Sequence, residues 1–298
     1  MPEGVSSFLP RSDILSYEEL LYVVHLCVVK GIRKIRLTGG EPLVRNGIIP
    51  FIEKLHRISE LEEISLTTNG VFLKDVAGQL KKCGIRRINL SMDTLKPERF
   101  REITRRDCFD QVWEGVREAE SCGVFPIKIN VVLMRGVNED EIIDFVKLTY
   151  DNAYHIRFIE LMPVGGNNWA KNHFVSIEEV LKRIRAIGPV RPVDSGPLDG
   201  PALRYVLEGA RGEIGLIGAM SRPFCSSCNR IRLTADGHLK GCLLSNQETD
   251  IKTPLRNGRE DHCLLGLIED TILNKPEKHG LDIHHAVEYS RSMNSIGG

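Results

Sequence analysis

The chain has 298 residues, with 40 basic and 40 acidic side chains, so its formal net charge is zero. That balance excludes a global field suited to nucleic acid or an anionic membrane, and any basic site must be local. The apolar stretches are strand-sized, too short to span a bilayer, and the start "MPEGVSSFLPRSD" lacks the basic-then-apolar pattern of a secretory signal.

The length suits one large α/β domain, or one domain with a smaller partner. The eight cysteines, in a chain read as cytoplasmic, point to metal ligands or reduced core thiols rather than disulfides.

In chain order, "SYEELLYVVHLCVVKG" has helical periodicity, a Ser16 N-cap with Glu19 three residues on, and Gly31 as its stop. "RKIRLTGGEP" reads as a strand ending in a glycine turn. A helix over 48–58 precedes the strand "EISLTTNG", and a helix over 74–83 precedes "RINLSMDT". A helix over 109–122 leads to the strand "IKINVVLM". "NEDEIIDFVKLTY" is helical, and "HIRFIELMP" is the last strand of the run. This βα alternation predicts a parallel sheet or barrel.

Alternate residues in the strands carry further information. Ile35 and Leu37, Ile64 and Leu66, Ile88 and Leu90, and Ile127 and Ile129 form an apolar face directed at the helices. The opposite face is polar: Arg36 and Thr38, then Ser65, Thr67 and Asn69, then Asn89, Ser91 and Asp93, then Lys128 and Asn130. A closed (β/α) barrel fills its interior with branched apolar side chains, and an open two-sided sheet is apolar on both faces. A polar inner face therefore predicts a barrel-like sheet around a polar ligand. The alternative is water-filled strand ends with satisfied hydrogen bonds. "HIRFIELMP" does not alternate cleanly, and its facing stays open.

After "LMPVGGNNW" the rhythm is expected to stop, with Gly and Pro clustered over 186–202 and a domain boundary near 165–170. The strand-like "GEIGLIGAM" leads into "RPFCSSCNRIRLTADGHLKGCLL", a hairpin turning at Asp236-Gly237. A helical run over 259–274 and a tail ending "MNSIGG" come last.

The hairpin places Cys225, Cys228 and Cys242 in a C-x2-C-x13-C pattern. Two centres fit this spacing. Zinc could recruit Cys263, His238 or His262 as fourth ligand, and a [4Fe–4S] cubane could leave one iron open to a substrate atom. A disulfide between two of the cysteines is the third option. Arg230 and Arg232 alternate along the strand and point the same way, as charge balance for the thiolates or as a phosphate clamp with Arg36 and Lys128. No G-x-x-x-x-G-K-[ST] loop occurs, so side chains and loop amides would hold any nucleotide. "TGGEP" offers consecutive glycine amides to a carboxylate or phosphate, a weak signal alone. Cys27, Cys83, Cys108 and Cys122 read as small packed residues, and Trp113 and Trp169 as packing.

"IRLTGGEPLVR", "LTTNG", "INLSMDTL", "KINVVLMRGVNEDEI", "RFIELMPVGGNNW", "CSSCNRIRLTADGHLKGCL" and the terminal "GG" together resemble the GTP 3′,8-cyclases of molybdenum cofactor (molybdopterin) biosynthesis, which are radical S-adenosylmethionine (SAM) lyases. The resemblance implies an incomplete TIM-like (β/α) barrel over 1–165 and a smaller C-terminal [4Fe–4S] and GTP-binding domain over 166–298. It implies a first [4Fe–4S] cluster that reduces SAM, giving a 5′-deoxyadenosyl radical that takes hydrogen from C3′ of GTP. The carbon radical then attacks C8, giving 3′,8-cyclo-7,8-dihydro-GTP. A second [4Fe–4S] cluster would sit on Cys225, Cys228 and Cys242, one iron open to the guanine. By motif, Arg36, Thr67, Lys128, Arg230, Ile231 and Arg232 match GTP contacts. Gly40, Ser91 and Met162 match SAM contacts, and Gly297 and Gly298 match a tail entering the site. Implied partners are a reductant protein such as a flavodoxin, the next enzyme of the pathway and a second copy in a homodimer, with no nucleic acid or membrane.

One departure is plain. The radical cluster of these proteins sits on a C-x3-C-x2-C loop after the first barrel strand, with "MP" following its last cysteine, and no such motif occurs here. The expectation is a truncated start, inactive alone, with "KIRLTGG" as an exposed sheet edge. The competing functions are a non-catalytic guanine-nucleotide and iron–sulfur-binding protein, and a zinc-knuckle binding module. Anaerobic metal analysis separates them. The chain should carry roughly four irons, and Cys225→Ser should remove them. One equivalent of zinc without iron would contradict both cluster readings.

Overall fold

The computed structural model describes residues 9–163, 172–196, 198–279 and 291. Trp169, Gly297, Gly298 and the segment expected to hold the domain boundary lie outside them.

Helix α1 (Tyr17–Val29) starts where its capping box predicts. Ser16 Oγ accepts from the Glu19 N–H at 3.1 Å, and the Glu19 carboxylate accepts from the Ser16 N–H at 2.7 Å. Gly31, at φ +87°, turns the chain into β1 (Lys34–Leu37). Then come α2 (Ile48–His56), β2 (Glu63–Thr68), α3 (Leu73–Lys82) and β3 (Ile88–Ser91). After these stand α4 (Pro97–Thr104), α5 (Phe109–Ser121), β4 (Ile127–Leu133), α6 (Ile142–Asp151) and β5 (His155–Glu160). Helix α4 is absent from the sequence reading, although Pro97 at its first position is a start signal. It is only 8 residues long, too short for a clear periodicity.

The rhythm does not stop after β5. Helix α7 (Ile177–Arg185) packs on β5 and β8 (Glu213–Ile217), and β8 pairs parallel with β5. Between them, β6 (Val190–Val193) and β7 (Leu203–Leu207) form an antiparallel pair. This inserted hairpin and its Gly/Pro-rich flanks hide the βα unit from a reading by periodicity. The sheet is therefore mixed and eight-stranded, in the order β1-β2-β3-β4-β5-β8-β7-β6, a partial barrel running across the boundary expected near 165–170. Among the described residues β1 has a strand on one side only, the edge the sequence predicts.

A small antiparallel sheet comes next, of β9 (Arg232–Leu233), β10 (His238–Lys240) and β11 (Thr249–Asp250), in the order β11-β10-β9. Gly237, at φ +83°, makes the turn between β9 and β10. Helices α8 (Lys252–Arg256) and α9 (Asp261–Leu273) close the described fold. None of the described helices is long and apolar enough to cross a membrane.

Two apolar clusters hold these parts together. The larger contains Ile64, Leu66, Ile88, Leu90, Ile127 and Ile129 against the helices, so the apolar stripe faces as predicted. Cys83 is buried there, Cys108 and Cys122 pack at its margin, and Trp113 meets Phe109 edge-on at 6.4 Å. The smaller cluster joins Leu239, Ile251, Leu264 and Ile268. Helix α1 serves both, sending Val24 and Val28 into the first and Val23, Leu26 and Cys27 into the second. A helix apolar on two sides is the expected wedge between two cores.

Glu160, only 1% exposed, ties the end of β5 to the start of α7 and the exit of β8. Its carboxylate accepts from the backbone N–H of Ile177 at 2.9 Å, Met220 at 2.8 Å and Ser221 at 2.9 Å, and from the Ser221 hydroxyl. Glu160→Ala should leave the buried Ile177 N–H and the half-buried donors of Met220 and Ser221 without this partner and cost on the order of 3 kcal/mol. An unchanged denaturation midpoint would refute this junction role.

Candidate functional site

Strand register assembles the polar face. Arg36 lies opposite Ser65, and Thr67 opposite Asn89. Asn89, Lys128, His155 and Glu213 succeed one another across β3, β4, β5 and β8. Ser91, Asn130, Arg157 and Gly215 form the next row. Since alternate residues share a face, these side chains line the concave side together. The facing of "HIRFIELMP", open in the sequence, is thereby decided: His155 and Arg157 belong to the lining.

Arg157 is the main residue that sequence reasoning missed. It is 8% exposed, and its guanidinium donates to Asn89 Oδ1 at 3.2 Å. A Cβ on Gly215 would stand 3.1 Å from Arg157 Cγ, so this glycine leaves the arginine its path. A single arginine in an irregularly alternating strand shows its facing only once β5 is aligned with β4.

The electrostatics of the lining are unusual. Lys128 is 5% exposed, and burial, with Arg157 and Arg87 nearby, pushes its pKa down to about 7. Burial and the Arg36 charge lower Arg157 to about 10. Arg36 keeps contact with solvent, yet the concave wall desolvates it and Arg230 repels it, so its pKa also falls. The carboxylates of the neighbourhood are already engaged. Glu63 pairs with Arg87 and with Lys34 at 2.9 Å, and Arg204 bridges Glu213 and Asp199 at 2.8 Å each. Among the described residues Arg36, Lys128 and Arg157 have no salt bridge. Two buried cations without a salt bridge, Lys128 and Arg157, beside the exposed Arg36, make a local positive field suited to a polyanion.

The cysteine hairpin continues this field. Burial and the charges of Arg230 and Arg36 push Arg232 down to about 10, while Cys228 and Cys242 pull it upward. Arg230 stacks over Phe224, its guanidinium carbon 5.1 Å from the ring centre. Ile231 turns the other way, toward the smaller core. Lys275, unmarked in the sequence reading, donates to the carbonyls of Cys228 and, at 2.9 Å, Arg230, so the chain after α9 straps the hairpin. Burial works against a Cys228 thiolate, but the Arg230 backbone N–H and guanidinium, with Lys275, outweigh it and hold the thiol below its usual value.

All eight cysteines are free thiols, so the disulfide option falls away. Among the described residues no three His, Cys, Asp or Glu side chains are gathered tightly enough to hold a metal ion. The structure thus brings Cys228 and Cys242 to one guanidinium, does not draw the three sulfurs into a closed set, and adds none of His238, His262 or Cys263 to them. His238 instead meets Asp236 at 3.4 Å, and His262 meets Glu260 at 3.2 Å and Cys263 at 3.3 Å. The donor set itself suits a thiolate-bound cluster: free thiols on one hairpin beside cations that favour thiolate. Metal binding commonly organises such ligands.

Gly40, Ser91 and Met162 lie past β1, at the end of β3 and past β5, all at the carboxyl ends of parallel strands, where sites on such sheets form. Glu41 braces this rim. Its carboxylate accepts from the Asn69 N–H at 2.7 Å, the Leu43 N–H at 3.0 Å and the Thr68 hydroxyl at 2.9 Å. Asp93 accepts from the Val132 N–H at 2.8 Å, and burial raises its pKa to about 6.

Residues 4–149 match the radical SAM superfamily, and residues 154–281 match the molybdenum cofactor synthesis C family. The chain is 47% identical, over its full length, to a GTP 3′,8-cyclase of Thermodesulfovibrio yellowstonii, covering 92% of that protein. Identity to the GTP 3′,8-cyclase of Moorella thermoacetica is 45% over 97% of this chain and 88% of that protein. For the GTP 3′,8-cyclase of Heliobacterium modesticaldum it is 42%, over 100% and 92%. These matches span nearly the whole chain and about nine-tenths of each relative. With the two domain families in order along one chain, they show that it belongs to the GTP 3′,8-cyclases, the radical SAM enzymes of molybdenum cofactor biosynthesis.

Proposed function

We propose that the concave face binds GTP and SAM together, and that the chain's reaction is the conversion of GTP to 3′,8-cyclo-7,8-dihydro-GTP. The observation that carries this is the pair of buried cations Lys128 and Arg157, without a salt bridge among the described residues, beside the exposed Arg36 and continued by Arg230 and Arg232. A nucleoside triphosphate is the ligand whose charge relieves them. Thr67 adds a hydroxyl from the same face. Ile231, its side chain packed in the smaller core, has its peptide left to meet a base.

SAM with a reduced [4Fe–4S] cluster would supply the hydrogen-abstracting radical, but the 298 residues contain no C-x3-C-x2-C set to hold that cluster. The protein's part is placement. Gly40, Ser91 and Met162 would hold SAM at the rim, and the cations would hold the triphosphate deeper, so that the ribose lies between them. Cys225, Cys228 and Cys242 would hold the second cluster beside Arg230 and Arg232. Residues 1–165 then supply the SAM side and most phosphate cations, and residues 166–298 the second cluster and the base.

Lys128 provides a test with a definite sign. At pH 8 a group with a pKa near 7 is mostly neutral, and a bound polyanion raises that pKa. GTP binding should therefore take up a proton, read by calorimetry in buffers of different ionisation enthalpy, and Lys128→Met should abolish the uptake. The free protein behaves in the opposite sense. Above pH 7 the unfolded chain keeps a proton that native Lys128 has lost, so the stability contribution of this site rises with pH toward the ordinary lysine value. Equal proton exchange in both proteins would refute the role of Lys128. Arg157→Ala should weaken GTP binding roughly tenfold or more, since hydrogen bonds to charged groups contribute about 1.5–3 kcal/mol. Unaltered affinity would remove Arg157 from the site.

A further inference from the structure

Away from the concave face, one group of reactive side chains stands by itself. Cys263, exposed on the first turn of α9, has its Sγ 3.3 Å from His262 Nε2. The other ring nitrogen, His262 Nδ1, lies 3.2 Å from the Glu260 carboxylate. That carboxylate favours the tautomer with its proton on Nδ1, which leaves the Nε2 lone pair toward the sulfur. Nucleophile, base and orienting acid thus follow one another, the order that activates a thiol. All three line an open cleft of about 510 Å³, together with Asn257, Gly258 and Arg259.

This cleft is separate from the cysteine hairpin. Ten residues of α9, roughly 15 Å of helix, run from Cys263 to Leu273, and Lys275 reaches the hairpin only beyond that end. The four cysteines packed in the barrel differ in kind. Burial pushes the Cys27 thiol up to about 11 and also raises those of Cys83 and Cys108. Cys83 and Cys122 donate to the carboxylates of Glu53 and Glu118, at 3.6 and 3.4 Å, partners that disfavour a thiolate. Cys263 is in the open, at a helix N-terminus, with a base at its sulfur, and such thiols react with disulfides. Glu260 is taken up by His262, while Arg259 brings a positive charge to the cleft, so a disulfide carrying carboxylates is favoured.

We infer that Cys263 is a thiol–disulfide exchange site, with His262 as its base, that takes a small carboxylate-bearing disulfide and keeps half of it as a mixed disulfide. His262 Nε2 takes the Cys263 proton, and the sulfur attacks one sulfur of the incoming disulfide. The incoming S–S bond breaks as the new one forms, and the departing thiolate recovers the proton from His262. The Cys263 sulfur is oxidised and the departing sulfur reduced, so the disulfide itself is the oxidant.

The experiment exposes the full chain, purified anaerobically, to oxidised glutathione and follows Cys263 by peptide mass mapping. The same thiol in the urea-unfolded chain supplies the unactivated rate. Native Cys263 should react roughly tenfold faster or more than unfolded Cys263, at the low end of what a positioned base contributes. His262→Phe should bring the native rate down to the unfolded one, and Glu260→Gln should lower it part of the way. Arg259→Glu should slow the reaction with oxidised glutathione and speed that with cystamine, a cationic disulfide. A native rate no faster than the unfolded one, or one indifferent to His262→Phe, overturns the inference and leaves a surface contact only. An equal response of both disulfides to Arg259→Glu overturns the preference for carboxylates.

Discussion

Cations desolvated on the concave face of an open sheet are the constraint on which the rest of this structure turns. Placing Lys128 and Arg157 out of water opposes folding, because burial disfavours the charged form and nearby guanidiniums repel. The two cations stay uncompensated because the carboxylates of the neighbourhood are already paired, with Lys34, Arg87 and Arg204. Neutralising the lining from within would remove its affinity for a polyanion. On the proposed reading, the unfavourable charge is held in reserve and binding of a polyanion relieves it.

That arrangement works only if the cysteine hairpin is held beside the sheet. Helix α1 does this by serving two cores, one under the barrel strands and one under β10 and α9. Lys275 straps the hairpin backbone from the other side. Glu160 fixes the start of α7 and the exit of β8 to the end of β5. Arg36 on β1 and Arg230 on the hairpin, far apart in sequence, are thus kept within reach of each other's field. Packing at a distance from the ligands sets their electrostatics.

Much of the site is legible without coordinates, for physical reasons. A strand side chain alternates with period two, so Arg36, Thr67, Ser91 and Lys128 declare a common face once their apolar neighbours are marked. The cysteine spacing and the Asp236-Gly237 turn declare a hairpin. Arg157 escapes this reading because its strand alternates imperfectly and only pairing with Asn130 reveals its direction. Lys275 escapes because a lysine after a helix has no pattern of its own. Helix α7 and the β6–β7 pair escape because an inserted hairpin interrupts the βα period that would announce them.

The sequence by itself determined the βα alternation, the polar face, the cysteine hairpin and the family, since each depends on residue type at short fixed spacing. Tertiary structure alone decided the rest, because it depends on register between strands distant in the chain. It joined β8 to β5 and carried the sheet past the expected boundary. It also separated Asn89, whose amide finds partners, from Asn130, whose oxygen finds none. In the sequence these are two similar residues on one polar stripe. Only the neighbours supplied by β2 and β5 give one of them its partners and leave the other's oxygen without one.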